Sequence, residues 1–140
     1  MRILFNLWLL TMCLALGGCA GLRGGQLQDF NGRWIVDMAA SLAINPSLSQ
    51  REDIRQFMSK VIMAIDMDRR EMSIIFEGME ERRRGIPFTI TEHQPGRIVL
   101  TMKDDVDIVF IDLQLKNNQL IFITPDQPGQ REDFVFVRKP

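Results

Sequence analysis

Three apolar stretches in the second half of the chain decide the fold: VDIVFIDLQL at 106–115, LIFIT at 120–124 and FVFV at 134–137. They either alternate apolar with polar residues or run apolar throughout, and they are rich in Ile, Val and Phe, which favour strands. Asn117-Asn118 and the Pro- and Gly-containing segment 125–129 have the composition of turns. The sequence therefore predicts antiparallel strands joined by short connections.

The same pattern extends outward into a seven-stranded antiparallel meander. The first strand lies within residues 29–37, and the other six are predicted at about 71–77, 86–92, 97–103, 106–115, 119–124 and 133–138. Because the late strands are apolar on both faces, one face must enclose a core and the other must be covered. We expect a mainly-β domain at 29–140, built as a small, strongly curved or barrel-like sheet.

One amphipathic helix is predicted at about 49–66, between the first strand and the rest. Ser49 and Glu52 have the spacing of a capping box at its start. Apolar residues then recur at helical spacing, at Ile54, Phe57, Met58, Val61, Ile62 and Ile65. We expect this helix to pack on the outer face of the sheet.

Composition excludes several classes of protein. The chain has 140 residues, 46% of them hydrophobic, and its 17 basic and 18 acidic residues give a net charge of −1. A chain of this length forms one domain, and its apolar content is too high for a disordered protein. The balanced charge disfavours nucleic acid as a partner.

The N-terminus has the features of a signal peptide. After Met1-Arg2, residues 3–16 are almost wholly apolar. This run of about 14 residues spans about 21 Å as a helix, too short for a bilayer core of about 30 Å. Leu16-Gly17-Gly18-Cys19 follows directly, and this tetrapeptide resembles the lipobox of bacterial lipoproteins.

The lipoprotein resemblance implies how the chain is processed and where it is held. Residues 1–18 would be removed as a signal peptide, Cys19 would carry the acyl chains, and 19–28 would form a flexible tether rich in glycine and alanine. The partner at this end is then a membrane. Because Ala20 rather than aspartate follows the cysteine, the family pattern implies the outer membrane, facing the periplasm, in a Gram-negative host.

Few residues of the sequence are candidates for catalysis or metal binding. Cys13 would be lost with the signal, so no free thiol remains, and His93 is the only histidine. Asp104, Asp105 and Asp107 lack the glycine and the distal carboxylate of a calcium loop. No catalytic motif is present. We therefore predict no metal site, no cofactor and no enzymatic activity.

A second resemblance involves the start of the domain. Residues 30–34 read FNGRW, which resembles the F-x-G-x-W opening of the lipocalins and fatty-acid-binding proteins, the calycin group. A helical insert after the first strand and then a meander is the order in the fatty-acid-binding branch, although those families have eight or ten strands. The resemblance implies a structural role for Trp34, packed at the closed end of a barrel beneath an arginine of the last strand, here Arg138.

Asp112 leads to the ligand-binding hypothesis, because it interrupts an apolar strand and shares a face with Phe110 by alternation. If that face points inward, the carboxylate needs a partner such as Arg97 or Arg138. We then expect a cavity for a small apolar or amphipathic ligand, lined by Phe88, Phe110, Asp112 and Phe122. If Asp112 lies near a rim, it is simply hydrated. The competing hypothesis is a structural or interaction lipoprotein with a filled interior, which acts through its surface on an envelope protein complex.

The lipoprotein resemblance makes a direct prediction for Cys19→Ser. Without the thiol there is no acylation site, so the chain should remain at the membrane as uncleaved precursor. Intact mass measurement of the membrane-extracted chain distinguishes the two forms. A variant that is still cleaved after residue 18 and still carries acyl mass would contradict the interpretation.

Overall fold

A computed structural model describes residues 26–80, 84–103, 107–123 and 133–140. The predicted signal peptide, Cys19 and most of the predicted tether lie outside these residues. In the described part, eight strands form a closed antiparallel barrel in which each strand pairs with its neighbours in chain order and β8 pairs with β1. The strands are β1 (Gly32–Val36), β2 (Val61–Asp66), β3 (Glu71–Phe76), β4 (Ile86–Gln94), β5 (Arg97–Lys103), β6 (Ile108–Lys116), β7 (Gln119–Ile123) and β8 (Phe134–Arg138).

The predicted mainly-β, barrel-like fold class is confirmed, and the barrel is consistent with a calycin-like fold. The predicted strands agree with β3 to β8 to within two residues at each end. The turn between β6 and β7 is formed by Asn117 and Asn118, with φ of 51° and 64°. Two successive positive φ values are those of a type I′ hairpin, which asparagine tolerates.

The prediction of one helix at 49–66 is wrong. The segment contains the end of a 3₁₀ turn (Pro46–Gln50), the helix α2 (Glu52–Met58) and then β2. The N-cap of α2 is Arg51, whose side chain makes no cap hydrogen bond. The apolar residues 61–65 fit helical spacing, but they also form a continuous apolar run, and all five are buried. A strand with both faces buried satisfies that run, which explains why there are eight strands and not seven.

A second short helix, α1 (Met38–Ile44), follows β1 directly. Asp37 caps it by accepting a hydrogen bond from the Ala40 amide at 2.9 Å. Ser41 is fully buried and joins α1 to β8, since its Oγ accepts a hydrogen bond from the Val135 amide at 2.9 Å. The hydroxyl also donates to the Asp37 carbonyl at 2.7 Å. This bond fixes α1 over the end of the barrel where β8 begins.

The two ends of the barrel differ. At the closed end lie the tight turns β2–β3, β4–β5 and β6–β7, together with a 3₁₀ turn (Leu27–Phe30) that starts within the predicted tether. At the helical end lie α1 and α2 and the start of β6. The core between them includes Phe30, Trp34, Leu48, Met63, Met72, Phe88, Leu100, Leu113, Leu120 and Phe136.

The strands β3 and β4 barely overlap. Within the described residues they pair only at Glu71–Pro87 and Met72–Ile86, so the rest of β3 has no β4 partner there. Glu80, four residues after the end of β3, instead lies against the outer face of β1, because its Oε1 is 3.1 Å from Arg33 Nη2 and 3.5 Å from Lys139 Nζ. A second buried cluster on the outer face of β1–β3 comprises Ile62, Ala64 and Ile75, with Ile35 packed against it.

We predict that Ser41→Ala lowers the free energy of unfolding by about 1–3 kcal/mol, because the Val135 amide loses its buried acceptor. Ser47→Ala is the matched control, since Ser47 is exposed and should change stability by less than about 0.5 kcal/mol. Equilibrium urea unfolding measures both. Equal stability losses for the two variants would contradict the role assigned to Ser41.

Candidate functional site

The closed end is organised around Trp34, whose side chain is 0% exposed. Its Nε1 donates a hydrogen bond to the Phe30 carbonyl at 3.1 Å. The guanidinium carbon of Arg138 lies 4.4 Å from the centroid of the indole ring. The cation–π contact that the calycin resemblance implied for these two residues is therefore present.

Arg138 also binds the chain that precedes β1. Its Nη1 and Nη2 donate to the carbonyls of Asn31 and Asp29, both at 2.6 Å. These carbonyls flank the end of the 3₁₀ turn, where backbone acceptors lack partners within the turn. Arg138 thus joins the last strand, the first strand and the N-terminal turn.

Gly32 is required by the same arrangement. A Cβ at this position would lie 2.7 Å from Arg138 Nη1, and the backbone has φ of +132°. Glycine alone meets both conditions without displacement or strain. Phe30, Gly32 and Trp34 therefore have structural roles at the closed end.

The four predicted ligand residues are divided between the two faces of the barrel. Side chains of directly opposed residues share a face. Phe88 opposes Met102, and Phe122 opposes the buried Leu113, so both phenylalanines face inward. The alternation that places Phe110 and Asp112 on one face is correct, but that face is the outer one, because Ile111 and Leu113 fill the interior.

The prediction that Phe110 and Asp112 line a cavity is therefore wrong. Phe110 is 54% exposed, and its strand has no helix over it, so the expected cover of this outer face is also absent in the described residues. Asp112 is partnered by Arg97, one of the two arginines predicted for it, with Nη2–Oδ2 at 2.8 Å and Nε–Oδ1 at 3.1 Å.

Arg97 and Asp112 form a bidentate salt bridge on the outer face of the barrel. Its hydrogen bonds raise the pKa of the Arg97 guanidinium above its usual value, and the negative charge of Asp112 raises it further. Glu92 adds a weaker attraction, with its Oε2 at 3.8 Å from Arg97 Nη1. The pair joins β5 and β6 across the outer face. The Asp112 carboxylate therefore does not face a ligand inside the barrel.

Inward-facing residues at the helical end are open to solvent. Ile74 opposes the buried Met63, Ile86 opposes the buried Met72, and Val109 opposes Met102, yet all three are exposed. With the half-buried Phe76 they form what we call the apolar mouth (Ile74, Phe76, Ile86 and Val109). The Phe57 ring of α2 lies beside it, 5.2 Å from the Phe76 ring in an edge-to-face contact.

The interior below the mouth is filled. Ile98, Leu100, Leu113 and Leu120 are each fully buried and face inward from β5, β6 and β7. An eight-stranded barrel has an interior that side chains fill or that holds one small ligand. Among the described residues, the exposed apolar side chains that face inward, Ile74, Ile86 and Val109, all belong to the mouth, next to Phe88.

A separate depression of about 290 Å³ lies outside the barrel at the closed end and is lined by Asn31, Gly32, Arg33, Ala64, Ile65, Asp66 and Asp68. Its polar groups hold the β2–β3 turn. Asp66 Oδ1 accepts from the amides of Asp68 and Arg69, at 3.1 and 2.9 Å, and Asp68 Oδ1 accepts from Gln28 Nε2 at 2.9 Å. These contacts assign the depression a structural role.

The remaining sequence candidates do not meet in the described residues. His93 is exposed at the end of β4, and Asp107 is exposed before β6. Asp104 and Asp105 lie outside the described residues. Across the described ranges there is no group of three or more His, Cys, Asp or Glu side chains that could hold a metal ion.

Comparison with known proteins adds no relative. No family model, curated protein or solved structure matches the chain. Among the described residues, neither helix is long and apolar enough to cross a membrane.

We predict that Trp34→Ala lowers the free energy of unfolding by about 3–5 kcal/mol, as for other buried aromatic side chains, because it leaves a cavity and removes the surface on which Arg138 packs. Chemical denaturation followed by far-ultraviolet circular dichroism measures the loss. A decrease below about 1 kcal/mol would mean that Trp34 does not organise the closed end.

Proposed function

We propose that this protein is a lipid-anchored envelope protein whose barrel binds a small apolar or amphipathic molecule at the apolar mouth, without catalysis. The observation that carries the proposal is that, in the described parts of the chain, the exposed inward-facing apolar side chains lie at one end of the barrel, with Ile74 at 55%. Burying such side chains against a ligand is favourable by about 25 cal/mol per Å². A closed, packed opposite end gives the site a rigid base.

The mouth has the composition of an apolar binding site. Three strands, β3, β4 and β6, contribute side chains to it and α2 adjoins it, and its described side chains are aliphatic or aromatic. Lys60 and Glu77, at the adjoining ends of β2 and β3, are exposed and provide polar groups near its edge. A ligand with one apolar chain and a polar head fits this distribution, because the chain is buried while the head stays hydrated.

The proposed anchor rests on the lipobox-like segment and Cys19. The described chain begins at Gln26 beside the closed end, so the tether meets the barrel at the end opposite the mouth. We propose attachment to the outer membrane with the barrel in the periplasm, for a Gram-negative host.

The second candidate function is that of an interaction lipoprotein that acts through its surface on an envelope protein. One observation favours it, namely the exposure of Ile108 and Phe110 on the outer face of β6. Large apolar side chains that stand together on an uncovered sheet face mark interaction sites.

Native mass spectrometry of the full chain, expressed in a Gram-negative bacterium and extracted gently in detergent, tests the first candidate. We expect the mass of the acylated chain plus one stoichiometric small molecule that is lost on denaturation. An unliganded mass, unchanged after incubation with an envelope lipid extract, contradicts ligand binding and favours the interaction protein.

A substitution in the apolar mouth tests whether the ligand binds there. We predict that Val109→Asp weakens binding of the neutral apolar dye N-phenyl-1-naphthylamine about tenfold or more, because a carboxylate in an apolar site must be desolvated. Met79→Asp is the control, since Met79 is 56% exposed and lies in the β3–β4 connection. Unchanged Trp34 fluorescence verifies folding. Equal dye affinity for the two variants would place binding elsewhere.

A further inference from the structure

Buried methionines lie beside the exposed side chains of the apolar mouth. Each exposed mouth residue is opposed on a neighbouring strand by a methionine, in the pairs Ile74–Met63, Ile86–Met72 and Val109–Met102. Directly opposed side chains share a face of the sheet, so these methionines face inward. All three belong to the buried core of the barrel. We call them the inner methionines (Met63, Met72 and Met102).

The inner methionines fill the interior with side chains that adapt in shape. Methionine is unbranched and has several rotatable bonds, so it occupies irregular space in more than one rotamer. Toward the closed end, the interior is formed by branched aliphatic side chains that are fully buried, namely Ile98, Leu100, Leu113 and Leu120. The packed interior therefore combines adaptable side chains beside the mouth with stiffer ones toward the base.

Two of the inner methionines connect the mouth to aromatic side chains of the core. Met63 opposes Ile74 on β3 and Trp34 on β1. Met102 opposes Val109 on β6 and Phe88 on β4. A thioether packs favourably beside an aromatic ring, so each methionine has an apolar neighbour away from the mouth. A change of rotamer at these positions extends the mouth inward without moving the strands.

We propose that the inner methionines determine how far the apolar chain of a ligand enters the barrel, so that the mouth accepts single-chain amphiphiles of different lengths. A short chain is buried by the mouth residues alone. A longer chain displaces the inner methionines and packs against the core in their place. This inference rests on the ligand-binding function proposed above, and it adds which side chains set the accepted chain length.

A variant with stiffer side chains at two of these positions tests the inference. Met72→Ile/Met102→Ile nearly conserves side-chain volume, but branching at Cβ restricts χ1. Met67→Ile is the matched control, because Met67 is also buried, at 4% exposure, but lies just after β2 at the closed end. Equilibrium urea unfolding verifies that each variant is folded.

Native mass spectrometry of the full chain in mild detergent, with an equimolar mixture of octanoic and hexadecanoic acids, identifies each bound acid by its mass. Partitioning of each acid into the detergent is the same for every variant, so it cancels when the ratios of bound acids are compared. We expect the hexadecanoic-to-octanoic ratio to fall about tenfold in Met72→Ile/Met102→Ile, which corresponds to about two methylene groups that are no longer buried. The Met67→Ile ratio should stay within about twofold of the natural one.

The possible results separate this inference from the ligand-binding function. An unchanged ratio in the double variant, or an equal fall in Met67→Ile, overturns the role of the inner methionines and leaves ligand binding intact. If neither acid binds the natural chain, the ligand-binding function fails and the inference fails with it.

Methyl NMR of the natural chain tests the same inference without any substitution. Met102 is 8% exposed, whereas Met63 and Met72 are 2% and 1% exposed and lie deeper. With ¹³C-methyl-labelled methionine, we expect octanoic acid to shift Met102 alone among the three, and hexadecanoic acid to shift all three. The same shifted residues with both acids would overturn the inference.

Discussion

The stacking of Arg138 on Trp34 is the contact on which the rest of the structure depends. It lies on the β1–β8 pair that closes the barrel, where the two residues oppose each other. Because it joins the first and last strands, its formation closes a long loop of chain, which carries an entropic cost. A buried aromatic surface, a cation over it and two charge-assisted hydrogen bonds to backbone carbonyls offset that cost.

The two ends of the barrel differ in packing, so that exposed apolar side chains of the interior lie at the helical end. The 3₁₀ turn, Arg138 and the tight turns fill the closed end, while α1 covers the β8 side of the helical end through Ser41. Within the described ranges, the offset between β3 and β4 leaves Ile74 with no β4 residue opposite it and 55% exposed. Among the described residues, the interior is therefore packed at its base and exposes apolar side chains at the mouth, where the ligand proposed above would lie next to Phe88.

The sequence predicted most strands because their signals are local. Alternation, β-branched residues and turn residues such as Asn117-Asn118 act within a few positions, and these elements agree with the structure. The helix at 49–66 failed because an apolar run such as 61–65 satisfies helical spacing and a doubly buried strand equally well. The choice is made by tertiary pairing with β1 and β3, which no local pattern encodes.

The candidate site was predictable only in part, for the same reason. Phe88 and Phe122 face the barrel interior, as predicted. Alternation alone separates the two faces of a strand without showing which face is inside. The prediction that Phe110 and Asp112 face inward is wrong for this reason. The mouth could not be predicted, since it arises from the short overlap of β3 with β4 and not from any motif. The exposed Ile74 and Val109 look like core residues in the sequence. The Trp34–Arg138 contact was expected only through the resemblance of FNGRW to the calycin opening.

Methyl NMR of methionine tests whether the apolar mouth binds a ligand while the packed base stays unchanged. Met102 lies beside Phe88 and Val109, Met58 belongs to α2, and Met67 is buried just after β2 at the closed end. The ¹³C-methyl-labelled full chain is incorporated in lipid nanodiscs and titrated with dodecanoic acid. We predict saturable shifts at Met102 and Met58 and none at Met67. Shifts at Met67 alone, uniform shifts at all three, or no saturable shift would contradict it.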